Sequence, residues 1–119
     1  MAAPNIANLT NIVGKTSVQQ VGISATAIVT NSAASNKVFK INSLVVSNVD
    51  GTNAADITVD LFRSSTAYEI ARTITVPANT SLVVISKEIS IYIEEGDSIR
   101  LTASAAGDLE AICSYEEIS

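Results

Sequence analysis

The sequence predicts an all-β fold, an antiparallel β-sandwich that is jelly-roll-like and has about eight strands. Ile, Val, Thr, Ser, Ala and Asn dominate the 119 residues, and there is no Trp or His. β-Branched side chains fit a pleated sheet and lose rotamer freedom in a helix. Short segments of alternating polarity recur at about ten-residue intervals, which is typical of a sandwich or barrel. Because a single sheet would leave one apolar face in water, we expect two packed sheets.

The start of the chain has no clear hydrophobic period. Residues 1–11 are predicted to form an extended N-terminal arm that becomes ordered against another molecule. Residues 12–119 are predicted to form a single domain, which is long enough to bury a hydrophobic core. The start lacks a basic region followed by an apolar run, so we expect no signal peptide. No segment approaches the roughly 18 apolar residues of a membrane span.

The first half of the chain contains three predicted strands. The longest has the sequence KVFKINSLVVSNV. Period-two alternation places Phe39, Ile41 and Val45 on one of its faces, with Leu44 and Val46 on the other. Apolar residues on both faces indicate a central strand that is covered on both sides over part of its length. The three predicted strands cover residues 12–21, 22–30 and 37–49, and Asp50-Gly51 follows them as a hairpin-type turn.

The second half continues with short strands as far as Tyr115. In ITVDLF, the aliphatic residues are predicted to face inward and Asp60 outward. Arg72 lies in an otherwise apolar row, so it is a buried ion-pair partner, a residue at an edge or subunit boundary, or a residue exposed to solvent. Pro77 ends its strand because it cannot donate to a ladder. The predicted strands cover residues 57–62, 68–76, 81–86, 88–93, 97–104 and 108–115.

The residue types argue against an enzyme. Without His there is no Ser/His or Cys/His pair and no Cys/His zinc set. Cys113 is the single cysteine, at an inward position, and we expect an inert core thiol. No Gly-rich nucleotide loop occurs, so we expect no cofactor and no catalytic residue. The net charge of −5 with scattered basic residues argues against a nucleic-acid partner.

Three carboxylates in the segment IYIEEGDSIRLTAS are the remaining candidates for chemistry. Glu94, Glu95 and Asp97 surround Gly96 and could bind Ca²⁺ or act as an acid/base pair. The favoured interpretation is a structural turn, in which Gly96 supplies a positive φ and Asp97 accepts a backbone hydrogen bond. On that interpretation Asp97→Ala costs about 1 kcal/mol and the loss does not depend on Ca²⁺.

Two other groups of residues are weaker candidates for a site. The turn of residues 50–53 together with Asp56 is rich in oxygen, but it lacks the six to eight ligands that calcium prefers. Tyr68, Tyr92 and Tyr115 are too sparse for a carbohydrate-stacking platform, and we expect each to pack within a strand.

Residues 37–119 resemble small virion structural proteins of tailed bacteriophages, especially of the marine and cyanobacterial type. The shared pattern is N.DG..AADITVDL, then TITVPA..SLVVI.K, then IYLEEGDSIRL.AS, then a closing SYEEI. This chain has Ile93 where Leu is commoner, which is a harmless aliphatic exchange. Residues 1–36 match less clearly.

The resemblance implies a β-sandwich carried on a phage particle, assembled in the host cytoplasm and located in the virion. It implies a non-enzymatic capsid decoration or cement subunit that binds the major capsid protein and other copies of itself. The alternatives are a neck, tail or fibre subunit, or a host-receptor or carbohydrate-binding jelly roll. The family has no catalytic residue to transfer to this chain, and we expect no nucleic-acid or membrane partner.

Overall fold

The computed structural model describes Asn8 and residues 10–119. Within these residues it contains nine strands and a 3-10 turn at Lys87–Ile89. The strands are β1 (Ile12–Gln20), β2 (Thr26–Thr30), β3 (Val38–Asn48), β4 (Ala55–Arg63), β5 (Thr66–Val76), β6 (Ser81–Ile85), β7 (Ile91–Ile93), β8 (Ser98–Ala103) and β9 (Leu109–Ile118). No helix of this described part is long and apolar enough to cross a membrane.

The strands form two antiparallel sheets that pack as a jelly-roll sandwich. The first sheet has the order β1-β9-β3-β6, with the short β7 also paired to β3. The second sheet has the order β2-β8-β4-β5. Among the described strands, β4 and β5 are the one pair that is consecutive in the chain and also hydrogen-bonded to each other. Most connections therefore cross from one sheet to the other, as in a double Greek key. The predicted all-β sandwich is therefore confirmed.

The core lies between the sheets and is almost wholly aliphatic. The larger fully buried side chains include Ile41, Leu44, Ile57, Ile99 and Leu101. Strands β3, β4, β8 and β9 supply most of this core because each is central in its sheet and has neighbours on both edges. Residues 99, 101 and 103 of β8 and residues 109, 111 and 113 of β9 face this core, and the inward position predicted for Cys113 is confirmed.

The predicted faces of β3 are wrong in one respect. A β-bulge between Ile41 and Ser43 inserts one residue opposite β9. An extra residue shifts the alternation by one position, so the inward and outward sets exchange. Leu44 and Val46 therefore join the core, whereas Val45 faces outward.

Two further segments depart from simple period-two alternation. In β2, a register shift between Ala27 and Val29 buries both Ile28 and Val29, while Ile23 lies outside the strand and is exposed. The predicted strand at residues 88–93 divides into the 3-10 turn and β7, which leaves Ile89 exposed and Ile93 buried.

A polar cluster lies on the outer face of the second sheet. Asp60 is on that face as predicted, yet it is buried rather than exposed. Arg100 from β8 makes a two-pronged contact with its carboxylate, with Nε–Oδ1 and Nη2–Oδ2 distances of 2.9 and 3.2 Å. The same guanidinium stacks 3.9 Å from the centre of the Phe62 ring. This cation–π stack covers the ion pair from water.

Polar side chains attach β1 to the rest of the sandwich. The hydroxyl of Ser17 and the side-chain amide of Gln19 donate to carbonyl oxygens of β2, at 2.8 and 3.0 Å. The carboxylate of Glu117 on β9 accepts from Lys15 at 3.0 Å and from Lys37 at 2.7 Å. Edge strand β1 is therefore held by hydrogen bonds and charge rather than by core packing.

The predicted arm falls mostly outside the described residues, which omit 1–7 and 9. Thr10 and Asn11, assigned to the arm from sequence, hydrogen-bond to Ser119 at the opposite end of the chain. Both backbone amides donate to the Ser119 carbonyl over 2.8 Å. The division between arm and domain stays a prediction, and these contacts extend the sheet pairing to residue 10.

Candidate functional site

The acidic turn connects β7 to β8. The amide of Asp97 donates to the carbonyl of Glu94 over 3.0 Å, which closes the turn. Gly96 has φ 87°, in the left-handed region that favours glycine, so the sequence prediction for this residue is confirmed. The Gly96 amide also donates to the carbonyl of Asn31 over 2.8 Å, which fixes the turn against the loop that follows β2.

Gly96→Ala will lower the free energy of unfolding by about 1 kcal/mol, because alanine resists a positive φ. Nothing lies within 4 Å of a Cβ built at this position, so the effect is one of backbone conformation alone. Gly22→Ala is the matched control, since a Cβ built at Gly22 also has nothing within 4 Å and Gly22 is not among the glycines with positive φ. Urea unfolding of both variants measures the difference, and equal stability for the two would contradict the prediction.

Asp97 is the centre of the turn. Its side chain is only 2% exposed and accepts the Glu94 amide at 2.9 Å. Both carboxylate oxygens also accept from Arg63, with an Nε–Oδ1 distance of 2.8 Å. Burial acts to raise the pKa of Asp97, but the hydrogen bonds from Arg63 and the Glu94 amide outweigh it and hold the pKa below its ordinary value.

Arg63 is the partner that sequence reasoning missed. It is the last residue of β4 and precedes a two-residue hairpin turn at Ser64-Ser65, where both residues have positive φ as a type I′ turn requires. The turn directs the arginine side chain towards the acidic loop. Its hydrogen bonds to Asp97 raise the pKa of the guanidinium, which stays charged at every accessible pH.

The other two carboxylates point to different donors. Glu94 accepts from Arg63 at 2.9 Å, while Glu95 accepts from the backbone amide of Asn36 at the same distance. Within the described residues, no three acidic, Cys or His side chains converge on a point that could hold a metal ion. The cation beside Glu94 and Asp97 is the guanidinium of Arg63. The turn borders an open depression of about 420 Å³.

Asn31 completes this corner of the molecule and was not singled out by the sequence. It is fully buried, and its side-chain amide donates to the carbonyls of Lys37 and Ile93 at 2.8 and 3.0 Å. Its backbone amide donates to the carbonyl of Asp97 over 2.9 Å. A single side chain thus links the loop after β2, the start of β3 and the end of β7, as buried amides must when water is excluded.

The second oxygen-rich turn is also occupied by internal hydrogen bonds. The Asp50 carboxylate accepts the amides of Thr52 and Asn53 at 2.7 and 3.1 Å, and these bonds lower its pKa. Asp56 contacts Thr75 instead, at 2.8 Å. Asp108 approaches Asp50 from the β8-β9 loop, and burial together with the charge of Asp50 raises its pKa. The turn therefore includes a carboxylate that the sequence did not predict there.

The low pKa values of Asp97 and Glu117 predict loss of stability in acid. Hydrogen bonds from Lys37 and Lys15 lower the pKa of Glu117. The folded-state pKa of each carboxyl lies below its unfolded-state pKa. The contribution of each carboxylate to the free energy of unfolding is therefore complete above the unfolded-state pKa, and it disappears as the pH falls through the folded-state pKa. The urea concentration at the unfolding midpoint will therefore decrease as the pH is lowered from about 7 to about 3. Glu117→Gln will reduce this fall, and an unchanged slope in that variant would count against the assignment.

The remaining sequence candidates are scattered over the molecule. Arg72 is 79% exposed on the free edge of β5 and has only a 3.6 Å contact with Glu69. Tyr115 packs on Phe39 with ring centres 5.4 Å apart. Tyr68 and Tyr92 are exposed on different sheets, so the expectation that each would pack within a strand is wrong for these two.

The sole cysteine lies deep in the core. Cys113 is completely buried on β9. Burial disfavours the thiolate and raises its pKa to about 12. A thiol with these properties is a poor nucleophile at neutral pH, and it cannot reach a second chain while the domain is folded.

An apolar row crosses the outer face of the first sheet. One residue from each of its four long strands contributes, in the register Val18–Ile112–Val45–Val83. Val18, Ile112 and Val83 are 72%, 52% and 60% exposed, and Val45 is half-buried. Single exposed aliphatic residues are common, but a continuous row over a whole sheet indicates a contact surface.

Polar residues border this apolar row. The neighbouring register runs Gln20–Glu110–Ser47–Ser81. A depression of about 320 Å³, lined in part by Ser47 and Glu110, lies beside Ile112. A row further along the strands carries Gly14, Glu116, Lys40 and Tyr92. The face therefore has an apolar middle and a polar border, as protein interfaces do.

Comparison with known proteins identifies the fold but no family. No protein-family model matches the sequence, and no curated protein matches it. The structure is similar to a chain from a solved structure of Bacillus endospore appendages, described as a novel family of disulfide-linked pili. The TM-score is 0.53 at 17% sequence identity, and the match covers 98% of this chain and 95% of that one. At this identity the likeness shows the fold alone, a β-sandwich matched along nearly its whole length.

Proposed function

We propose that this chain is a non-enzymatic structural subunit that works by binding other copies of itself and other proteins of a large assembly. The observation that carries the proposal is the apolar row of Val18, Ile112, Val45 and Val83. A row of this kind is costly in a free monomer and useful in an assembly, since burying it stabilises the contact by about 25 cal/mol for each Å².

The polar residues support the same proposal. Glu94 and Asp97 are engaged by Arg63, Glu95 by a backbone amide, and Asp50 by its own turn. Their role is to hold loops in place. A sandwich whose charged groups are used in this way offers surfaces and edges rather than a reaction centre, which fits a subunit of a particle.

The particular assembly that we propose is a tailed-phage virion, with the chain as a head decoration subunit on the major capsid protein. The sequence resemblance over residues 37–119 supports this assignment. A neck, tail or fibre position is the alternative within the virion. The structural similarity to an appendage protein favours a second candidate, a subunit of an extracellular filament. In such a filament this chain would rely on non-covalent contacts, because Cys113 is buried.

Cryo-electron microscopy of particles purified with the native chain tests the proposal. Density for the sandwich repeated over the capsid lattice would support decoration. Density restricted to the neck or tail would support the alternative position, and density along filaments would support the appendage. Recovery of the chain only as a free protein, with no assembly containing it, would overturn the proposed function.

A deletion tests the arm. Removing residues 1–9 spares the backbone contacts of Thr10 and Asn11 with Ser119. We expect the shortened protein to fold with unchanged stability and to lose incorporation into particles. Normal incorporation would show that residues 1–9 are not contact residues.

A further inference from the structure

We infer that the outer face of the first sheet is a two-fold interface with a second copy of this chain. This inference rests on the proposed function and deepens it by naming the surface and its partner. The argument begins from the register of the four strands, which places apolar, acidic, basic and small residues at defined positions on one face. When a second copy is rotated by half a turn and placed on this face, each of these residues lies opposite a residue that complements it.

The rotation axis lies between β9 and β3, the two middle strands, and runs parallel to them. Turning a second copy about this axis exchanges the positions of β9 and β3 and also those of β1 and β6. Ile112 of one copy then faces Val45 of the other, and Val18 faces Val83. The apolar row meets itself along its full length, which is the reciprocal pattern of an isologous contact.

The same rotation places opposite charges together. Glu116 and Lys40 are cross-strand neighbours on β9 and β3. Across the axis, Glu116 of each copy faces Lys40 of the other, so two ion pairs form. Among the described residues neither side chain belongs to an ion pair within the monomer. Both side chains are long enough to accommodate the rotation of about 30° between packed sheets.

A shape match lies at the ends of that row. Gly14 on β1 and Tyr92 on β7 stand at opposite ends of the register that contains Glu116 and Lys40. The axis brings the exposed Tyr92 ring of one copy over Gly14 of the other. No atom lies within 4 Å of a Cβ built at Gly14, so the surface there is open to a ring. On the other side of the apolar row, Glu110 faces Ser47 and avoids a like charge.

The size of the face sets the strength that we expect. Four strands about 4.8 Å apart and seven residues of about 3.3 Å rise give a projected area of roughly 440 Å² for each copy. That is about half of the 800 Å² that each partner buries in an interface of standard size. The isolated dimer should therefore be weak, with a dissociation constant in the micromolar range or above, and it should be reinforced where copies are concentrated in an assembly.

The charge pattern favours a second copy over a different protein. A foreign partner would need its own matching arrangement of acid, base and apolar row, whereas this face already contains both members of each pair. The apolar residues alone would accept many partners. It is the Glu116–Lys40 relation and the Gly14–Tyr92 relation that specify the same chain rotated by half a turn.

Sedimentation of the purified chain over a concentration series from about 10 µM to about 1 mM tests the interface. The wild type should show a reversible monomer–dimer equilibrium. Ile112→Glu should raise the dissociation constant by about a hundredfold or more, because a carboxylate enters the apolar row twice in each dimer. Ile23→Glu is the matched control and should dimerise like the wild type, since Ile23 is 65% exposed and lies in the β1-β2 connection, outside the strands of the first sheet.

Variants with reversed charges at positions 116 and 40 distinguish an effect on the interface from an effect on folding. Glu116→Lys alone and Lys40→Glu alone each place like charges across the axis at two positions, so each variant should sediment as a monomer. A mixture of the two variants restores opposite charges at both positions and should form a heterodimer. Neither variant gains an intrachain pair on mixing, so a change in folding cannot produce this result.

Three results would overturn the inference. They are a monomeric wild type throughout the series, a dimer unaffected by Ile112→Glu, and a mixture of folded charge variants that stays monomeric. Any of these would leave the proposed function intact, because the location of the chain in particles is measured independently. A confirmed dimer with no assembly containing the chain would reject the proposed function and keep the interface.

Discussion

Asp97→Ala will lower the free energy of unfolding by about 3 kcal/mol, a larger loss than the roughly 1 kcal/mol of a single turn hydrogen bond. The carboxylate is buried and accepts the Glu94 amide together with two hydrogen bonds from Arg63. Its removal leaves the amide without a partner and the guanidinium with Glu94 alone. Urea unfolding at neutral pH measures the loss.

Glu94→Ala is the matched control for this prediction. Its side chain is 63% exposed and its ion pair with Arg63 is open to solvent, so the expected loss is about 0.5 kcal/mol. The loss at Asp97 should be the same with and without added Ca²⁺. Equal losses in the two variants, or a calcium-dependent rise in the melting temperature of the wild type, would refute the structural role of the turn.

Asn31→Ala will lower the free energy of unfolding by about 3 kcal/mol. The change removes the two hydrogen bonds that the buried Asn31 side chain donates, so the carbonyls of Lys37 and Ile93 lose this donor. Ser35, which hydrogen-bonds to the amide oxygen of Asn31, also loses its acceptor. The loops on either side of the acidic turn should then open together, which hydrogen exchange at the amides of residues 96 and 97 will detect.

Ser32→Ala provides the control, because Ser32 is exposed in the same loop. We expect its stability to stay within about 0.5 kcal/mol of the wild type. If Asn31→Ala were as stable as Ser32→Ala, the buried amide would not be the link between the loops.

The fold could be predicted from the sequence because alternation of apolar and polar residues is a local property. Each short strand of this protein has its own pattern and its own turn residues. The bulge after Ile41 could not be predicted, since it depends on how β3 pairs with β9, about 70 residues further along the chain. As a result, period-two alternation predicts the wrong face for Val45, and the sequence alone does not show the apolar row that contains it.

The candidate site was predicted in part for the same reason. Gly96 and the Asp97 backbone contact are local, and the sequence indicates both. Arg63 is 34 residues from Asp97, and Asn31 is 62 residues from its acceptor Ile93. An arginine at the end of a strand and an asparagine in a loop carry no sequence signal of such distant partners, because the packing of the two sheets decides them.

The burial of Cys113 has a consequence for how this protein would leave an assembly as well as enter it. In such an assembly, contacts between copies would be non-covalent while the domain is folded, so subunits could exchange between bound and free pools. The protein concentration and ionic strength set the balance, and the redox state of the surroundings does not. A disulfide-linked assembly would differ, because oxidation would cross-link its subunits covalently. An assembly of this chain would be remodelled by dilution, and reductants would leave it unchanged.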